Sequence, residues 1–270
     1  MTTASRLDEA SCQQVCQQTF LAGYQLVEQT GSTNDDSLAM IRAGQLDQLP
    51  WLLIANRQLA GRGRQSARWW SAPGALTFSL LLDWDSAGST ALLALACGLA
   101  TCRAVEAACP SLPDRLSLKW PNDVYFGTRK LAGILIETPA AGSPVVVGIG
   151  LNVNNSIEQG PPELADQATA LVDIIGTTIP LADVLTGVLR EIELLLGPLR
   201  TNPAAITDPW QSRCMLNGMR IGLRQGNLQV QGICQGIDSQ GRLLLAGPDQ
   251  PGCYAAGSVE WYEPPQPEGS

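Results

Sequence analysis

Leu116-Ser117-Leu118-Lys119-Trp120-Pro121-Asn122-Asp123, followed beyond Gly127 by Arg129-Lys130-Leu131-Ala132-Gly133-Ile134-Leu135-Ile136-Glu137, is the stretch that decides the fold. Leu116 to Trp120 reads as a short strand. Pro121 removes a ladder donor and ends it, leaving Asn122 and Asp123 on a turn. Leu131 to Glu137 reads as the next strand, with Lys130 at its start, and the Val/Ile run from Pro144 to Val153 as a third in close order.

Toward the N-terminus, residues 5 to 19 suit a short polar helix and Tyr24 to Gln29 a strand. Thr30-Gly31-Ser32-Thr33-Asn34-Asp35-Asp36 then supplies a helix start, since a hydroxyl at Ser32 or Thr33 caps the first turn and the two aspartates complement its positive end. That helix stops at Gly44. Trp51 to Asn56 and Ala75 to Trp84 read as strands, and Thr90 to Cys109 as a buried core helix ending at Pro110.

Toward the C-terminus, residues 181 to 199 carry apolar positions at helical spacing. After Pro209-Trp210 the texture changes. Five strand candidates (219 to 224, 228 to 234, 242 to 246, 252 to 255 and 258 to 262) separated by Gly, Asn and Asp turns predict a small barrel-like β unit. The expected division is a large domain over 1–210, a β domain over 211–263 and a disordered, Pro-rich tail over 264–270.

Composition narrows the chemistry. The chain has 270 residues, 45% apolar and 16% charged, which is ordinary for a soluble globular protein. Its net charge of −8 repels phosphate backbones and anionic membranes, so neither DNA nor a membrane is an expected partner. The absence of histidine excludes Ser-His-Asp and Cys-His nucleophile pairs and all His-ligated metal sites, and no metal site of the protein's own is expected.

Lys119 and Lys130 are the only lysines, the other fifteen cationic side chains being arginines. The eight cysteines include no CxxC pair and suit buried thiols in a reducing compartment. Residues 1–10 lack a basic segment followed by an apolar one, so a cytoplasmic protein is expected. Ala91 to Val105 is broken by Arg103 and falls short of the roughly 20 apolar residues that a membrane span needs.

Gly61-Arg62-Gly63-Arg64, with Arg68, gathers three guanidinium groups in an irregular loop whose glycines let the backbone approach a ligand. Such a loop suits a polyphosphate or a carboxylate, and Trp69 or Trp70 could cover an aromatic base; a solvated surface loop is the alternative. Neither Gly61-x-Gly63 nor Gly148-Ile149-Gly150 completes a P-loop or dinucleotide fingerprint.

Ser32-Thr33-Asn34, Gly61 to Ser71, Lys119 to Asp123, Lys130 to Ile134 and Gly150-Leu151-Asn152-Val153-Asn154 together resemble, in order and spacing, the motifs of the biotin protein ligases, over roughly residues 20 to 262. The resemblance implies an α+β fold: a class II synthetase-like, biotin/lipoate ligase catalytic domain with a mixed β-sheet and helices, followed by a small SH3-like β-barrel. It implies a two-step reaction, in which biotin's carboxylate attacks the α-phosphate of ATP to give biotinyl-5′-AMP and a carrier lysine then attacks the mixed anhydride. ATP with Mg²⁺ and biotin are the implied substrates, and the biotin carboxyl carrier protein of acetyl-CoA carboxylase the implied partner. A homodimer is left open.

By motif matching, Ser32, Thr33, Asn34, Gln58, Gly61, Arg62, Gly63, Arg64, Lys130 and Gly133 are implied to hold biotin. Arg64, Arg68, Trp70, Asn122, Lys130 and Asn152 are implied to hold the nucleotide. Lys130, Arg62, Arg64 and Asp123 are implied to act in catalysis, with Lys130 bridging carboxylate and α-phosphate and Asp123 orienting or deprotonating the carrier lysine. The Arg loop is expected to be mobile without ligand, because like charges do not pack until an anion arrives. Only about twenty residues precede the first family motif, too few for the N-terminal DNA-binding domain of some relatives, so no operator binding is expected. The nearest rival is a lipoate ligase or octanoyl transferase; a noncatalytic biotin or nucleotide sensor is a second.

Overall fold

A computed structural model describes residues 5–84, 89–139, 144–247 and 252–264. The expected tail from 265 onward lies outside these residues.

In chain order the elements are α1 (Glu9–Gln18), β1 (Gly23–Val27), α2 (Thr33–Arg42), β2 (Trp51–Ala55), β3 (Ala75–Leu82), α3 (Thr90–Ala108), β4 (Ser117–Lys119), β5 (Asp123–Phe126), β6 (Arg129–Glu137) and β7 (Val145–Asn152). There follow α4 (Leu171–Ile175), α5 (Leu181–Thr201), α6 (Ala204–Gln211), β8 (Arg220–Gln225), β9 (Leu228–Ile237), β10 (Leu243–Ala246), β11 (Gly252–Tyr254) and β12 (Ser258–Glu263).

The first seven strands make one mixed sheet in the order β1-β2-β3-β7-β6-β5-β4, in which only β1 and β2 run parallel. The last five make an antiparallel sheet, β11-β10-β9-β8-β12. The chain is thus α+β with a small C-terminal β unit.

Strand alternation gives the large sheet two different faces. Leu76, Phe78, Leu80 and Leu82 of β3, Val145, Val147, Ile149 and Leu151 of β7, and Ala132 and Ile134 of β6 join the core cluster with α3 and α5. The intervening positions, among them Ser79, Gly133, Leu135, Gly148 and Gly150, form the opposite face. Helix α3 is apolar enough to pass for a membrane span by composition, but most of it is buried against the sheet and α5.

Most expected elements are present, and the misses cluster around Pro121. Asp123 opens β5 rather than lying on a turn, and a three-residue corner, Trp120 to Asn122, separates it from β4. Four-residue β5 is too short to show alternation. Helix α4 and helix α6 were not anticipated either, the latter because Pro209 lies inside it.

The C-terminal unit is joined to the large sheet along β4. Leu118 N–H donates to Arg213 O (2.8 Å), Met215 N–H donates to Leu118 O (3.0 Å), and the Trp120 indole donates to Gly241 O (3.0 Å). Arg213 pairs with Glu106 of α3 through two contacts, 2.6 and 2.8 Å. Ile221, Leu223, Leu243 and Leu245 of the β unit belong to the same continuous core as α3.

Candidate active site

The site is built on the glycine-bearing face of the sheet. Gly148 of β7 lies beside Ser79 of β3 and Leu135 of β6, and Gly150 lies beside Gly133. Three glycines on neighbouring strands leave a trough, and two of them admit side chains where a Cβ would not fit. A methyl at Gly148 would collide with the Asn34 amide, and one at Gly150 with the Trp69 indole.

Helix α2 points its N-terminus at this trough. Ser32 caps it, its hydroxyl accepting from Asp35 N–H (3.5 Å). Ser32, Thr33 and Asn34 are buried although polar, and a chain of hydrogen bonds accounts for two of them. Gln58 Oε1 accepts from the Thr33 backbone N–H (2.7 Å) and hydroxyl (3.0 Å), while Ser79 Oγ is bonded to both Thr33 Oγ1 (2.8 Å) and Asn34 Oδ1 (2.6 Å). Asn34 Nδ2 donates to Glu137 Oε2 (2.8 Å). A row of fixed donors and acceptors therefore faces the trough, and Leu135, on the same face of the sheet, is its apolar wall.

The arginine loop folds over this floor as a narrow return. Trp69 N–H donates to Gly61 O (2.9 Å), Gly63 N–H to Ala67 O (2.7 Å), and Gln65 takes a left-handed conformation at the tip (φ 49°). Its two inner arginines differ. The Arg62 guanidinium meets Asp35 Oδ1 (2.6 Å) and Glu137 Oε2 (2.8 Å), so it ties the loop to α2 and β6. Arg64 is more deeply placed, makes no ion pair among the described residues, and burial lowers its pKa with partial relief from the charge of Asp123.

The expected reason for a mobile loop thus fails for Arg62, which already has two protein anions. Arg64 has no such partner among the described residues.

At the other end of the trough Lys130 Nζ lies 2.7 Å from Asp123 Oδ1 and 6.0 Å from the centre of the Trp69 ring. Gly133 leaves room for this side chain: a Cβ there would sit 3.0 Å from Lys130 Nζ, so the lysine end would have to shift. The resulting cleft holds about 200 Å³ and runs from Ser32 to Ser258 and Val259 of the β unit. A second cleft of about 330 Å³ adjoins it, sharing Arg68, Trp69 and Lys130 and walled by Trp70, Tyr125, Asn152 and Ile157. Two adjoining compartments, with one ammonium and one guanidinium group, Lys130 and Arg68, in their shared wall, suit a two-part ligand with anionic charge in the middle.

The profile of the biotin/lipoate A/B protein ligase family matches residues 26–154. A biotin–[acetyl-CoA-carboxylase] ligase of Mycobacterium tuberculosis is 36% identical over 82% of this chain and 82% of its own length. The chain belongs to the biotin protein ligase family. The corresponding ligase of Paracoccus denitrificans is 33% identical over 83% of this chain and 94% of its own. The biotin protein ligase from Aquifex aeolicus, solved in complex with biotin and ATP, superposes with a TM-score of 0.75 at 27% identity, covering 91% of this chain and all of that one.

Of the residues that the family motifs single out, Ser32, Thr33, Asn34, Gln58, Arg62, Gly63, Arg64, Arg68, Asn122, Asp123, Lys130 and Gly133 line the first cleft. Trp70 and Asn152 line only the second. Gly61 lines neither: its backbone is hydrogen-bonded to Trp69, and a Cβ there would stand 2.7 Å from Trp69 O.

Two amides are more structural than motif matching implied. Asn122 Nδ2 donates to Ile134 O, clamping the Pro121 corner to β6. Asn152 is held by Thr169 O (3.1 Å) and Asn155 (2.9 Å).

Motif matching passed over Glu137, Ser79, Trp69, Gly148 and the contribution of β12. Gly148 and Gly150 at alternate positions of one strand carried a usable signal of close approach. Ser258 and Val259 carried none, since nothing local marks a strand that reaches into another unit's cleft.

Proposed function

We propose that the chain activates biotin with ATP as biotinyl-5′-AMP and transfers the biotinyl group to a lysine of a carrier protein, the biotin carboxyl carrier of acetyl-CoA carboxylase. The single observation that supports this reading best is the junction of the two clefts, where Lys130, paired with Asp123, stands with Arg68 and the Trp69 ring in the wall common to both, and Arg64 lines the first. Biotin's rings would occupy the glycine trough, where Ser32, Thr33 and Gln58 offer groups for the ureido donors and carbonyl. Its valeryl chain would run along Leu135 toward Lys130, and the adenosine would enter the compartment walled by Trp70.

In the first step a carboxylate oxygen forms a bond to the α-phosphorus and the bond to the bridging oxygen breaks, the electron pair leaving with pyrophosphate. No proton is transferred, which suits a site without histidine. Lys130 would neutralise charge shared by the two reacting anions, and Arg64 would close over them. In the second step the carrier amine attacks the carboxyl carbon and AMP departs. Asp123, already within hydrogen-bond reach of this junction, is the carboxylate placed to accept the amine's proton.

Magnesium is read as entering with ATP. The described residues contain no group of three or more Asp, Glu or Cys side chains that could hold a metal. Its phosphates would then supply the ion's principal ligands, as is usual for nucleotide-bound magnesium. A cytoplasmic site of action fits a reaction that consumes ATP and modifies a carboxylase subunit.

The test is to mix the protein with ATP, Mg²⁺ and a carrier domain, adding labelled biotin in one series and lipoate in another, and to read the carrier's mass. Biotin incorporation with pyrophosphate release is expected. Lipoate incorporation alone would favour the rival ligase, and biotin binding without pyrophosphate release would favour a sensor.

A further inference from the structure

The first cleft contains a cation that the reading above leaves without a task. Lys119 ends β4 and lines the cleft. Its backbone neighbours are fixed on both sides, Leu118 by Arg213 and Met215 and Trp120 by Gly241, so the side chain is carried on a pinned support. Asp123 is its cross-strand partner, yet that carboxylate turns to Lys130.

What surrounds the Lys119 ammonium instead is aromatic. It lies 5.5 Å from the centre of the Tyr125 ring and 4.8 Å from that of Tyr262, which belongs to β12 of the C-terminal unit. Ring faces compensate a partly desolvated ammonium only in part. Burial accordingly lowers the pKa of Lys119, with Asp123 opposing that effect and Lys130 adding to it. Among the described residues it makes no ion pair. Lys130 and Arg62 have carboxylate partners, so Lys119 and Arg64 are half-buried cations of the cleft with charge left for a ligand.

Activation of a carboxylate by ATP places new negative charge on pyrophosphate as it leaves. Lys130 at the junction cannot serve both the attacking carboxylate and the whole departing group. A second, desolvated ammonium in the same cleft meets that need, because its interaction with the leaving group strengthens as the bond breaks.

We propose that Lys119 is the cation that stabilises the departing pyrophosphate, and that Tyr262 of the C-terminal unit is the positioning residue that holds it in place. The step balances as written above: the carboxylate oxygen bonds to the α-phosphorus, the α–β bridging bond breaks, and its electron pair stays on pyrophosphate beside Lys119. The inference rests on the reading of the cleft as an ATP-dependent biotin-activating site. It gives the β unit a part in the first chemical step, exerted through Lys119.

The experiment uses the full-length protein and compares wild type with Lys119→Met, Lys119→Arg, Tyr262→Leu and Tyr262→Phe. Pyrophosphate release, biotin binding and inhibition by added inorganic pyrophosphate are measured for each. Lys119→Met is expected to lose about 10² to 10³ in kcat for adenylation, the usual cost of one such donor, while biotin binding is kept and pyrophosphate inhibits far less. Tyr262→Leu is expected to lower kcat more than it alters biotin binding, and Tyr262→Phe, which keeps the ring, to recover most of that loss.

Lys119→Arg is expected to retain turnover and to carry the alkaline fall in rate to higher pH, since a guanidinium keeps its proton where a desolvated ammonium does not. The charged and titratable groups facing Lys119 in that comparison are Asp123 and Tyr125 on β5, Lys130 on β6 and Tyr262 on β12, and none of them is altered by the substitution. Wild-type turnover in Lys119→Met, or unchanged pyrophosphate inhibition, overturns the proposal. Should Lys119→Met fail to fold, an alkaline limb that does not move in Lys119→Arg overturns it equally. Wild-type protein that does not release pyrophosphate at all would instead overturn the reading of the site.

Discussion

At the scale of single residues, the trough exists because three positions lack a Cβ and one neighbouring position carries a short hydroxyl. Gly148→Ala would drive a methyl into the Asn34 amide and break its bond to Ser79. Calorimetry should show biotin affinity falling at least tenfold with little change in ATP affinity, and unaltered biotin binding would refute that role for the trough. Glu137 is the second residue of consequence, because it accepts from both the pocket floor (Asn34) and the loop (Arg62). Glu137→Gln keeps the shape but removes the charge on Arg62, so the KM for biotin should rise more than kcat falls. The sequence exposed Ser32, Lys130 and the arginines because motif chemistry is local. It hid Glu137, whose importance comes from two partners more than seventy residues away, Arg62 and Asn34.

At the scale of elements, the arginine loop is an irregular segment held at three points: Gly61 to Trp69, Arg62 to Asp35, and Arg62 to Glu137. Trypsin should therefore cut wild-type protein slowly at Arg62 and Arg64 even without ligand, and faster in Asp35→Asn with Glu137→Gln. Equal cleavage of both would show that the carboxylates do not hold the loop. Helix α2, strands β1 to β3 and all five C-terminal strands were legible in the sequence, because cap residues, alternation and Gly/Asn/Asp turns are local signals. Strand β5 was not, since four residues after a proline corner have too little period to be read. Helix α6 was obscured by Pro209, the sixth of its eight residues, which has no N–H to donate within the helix.

At the scale of the molecule, one core runs from the large sheet through α3 into the β unit, so the two units should unfold together. The Glu106–Arg213 pair spans that seam, with the Arg213 side chain only 7% exposed. Glu106→Gln leaves the Arg213 charge without its carboxylate and should lower the midpoint of a single calorimetric transition; two separated transitions in the wild type would contradict the shared core. Burial opposes the charge of Glu106, but Arg213 and the Leu116 N–H hold its pKa below the ordinary carboxylate value. Its contribution is thus present above the unfolded-state pKa and is lost as pH falls through the lower folded-state one, which predicts acid sensitivity that Glu106→Gln removes. This seam was invisible in the sequence, where Glu106 and Arg213 stand over a hundred positions apart.

The account as a whole stands on Lys130 acting where carboxylate and α-phosphate meet. The most direct measurement is the single-turnover rate of pyrophosphate release from saturating biotin and ATP, in wild type and in Lys130→Ala. A loss of about 10² to 10³ in that rate with ATP affinity nearly unchanged is predicted. Equal rates in the two proteins would contradict it.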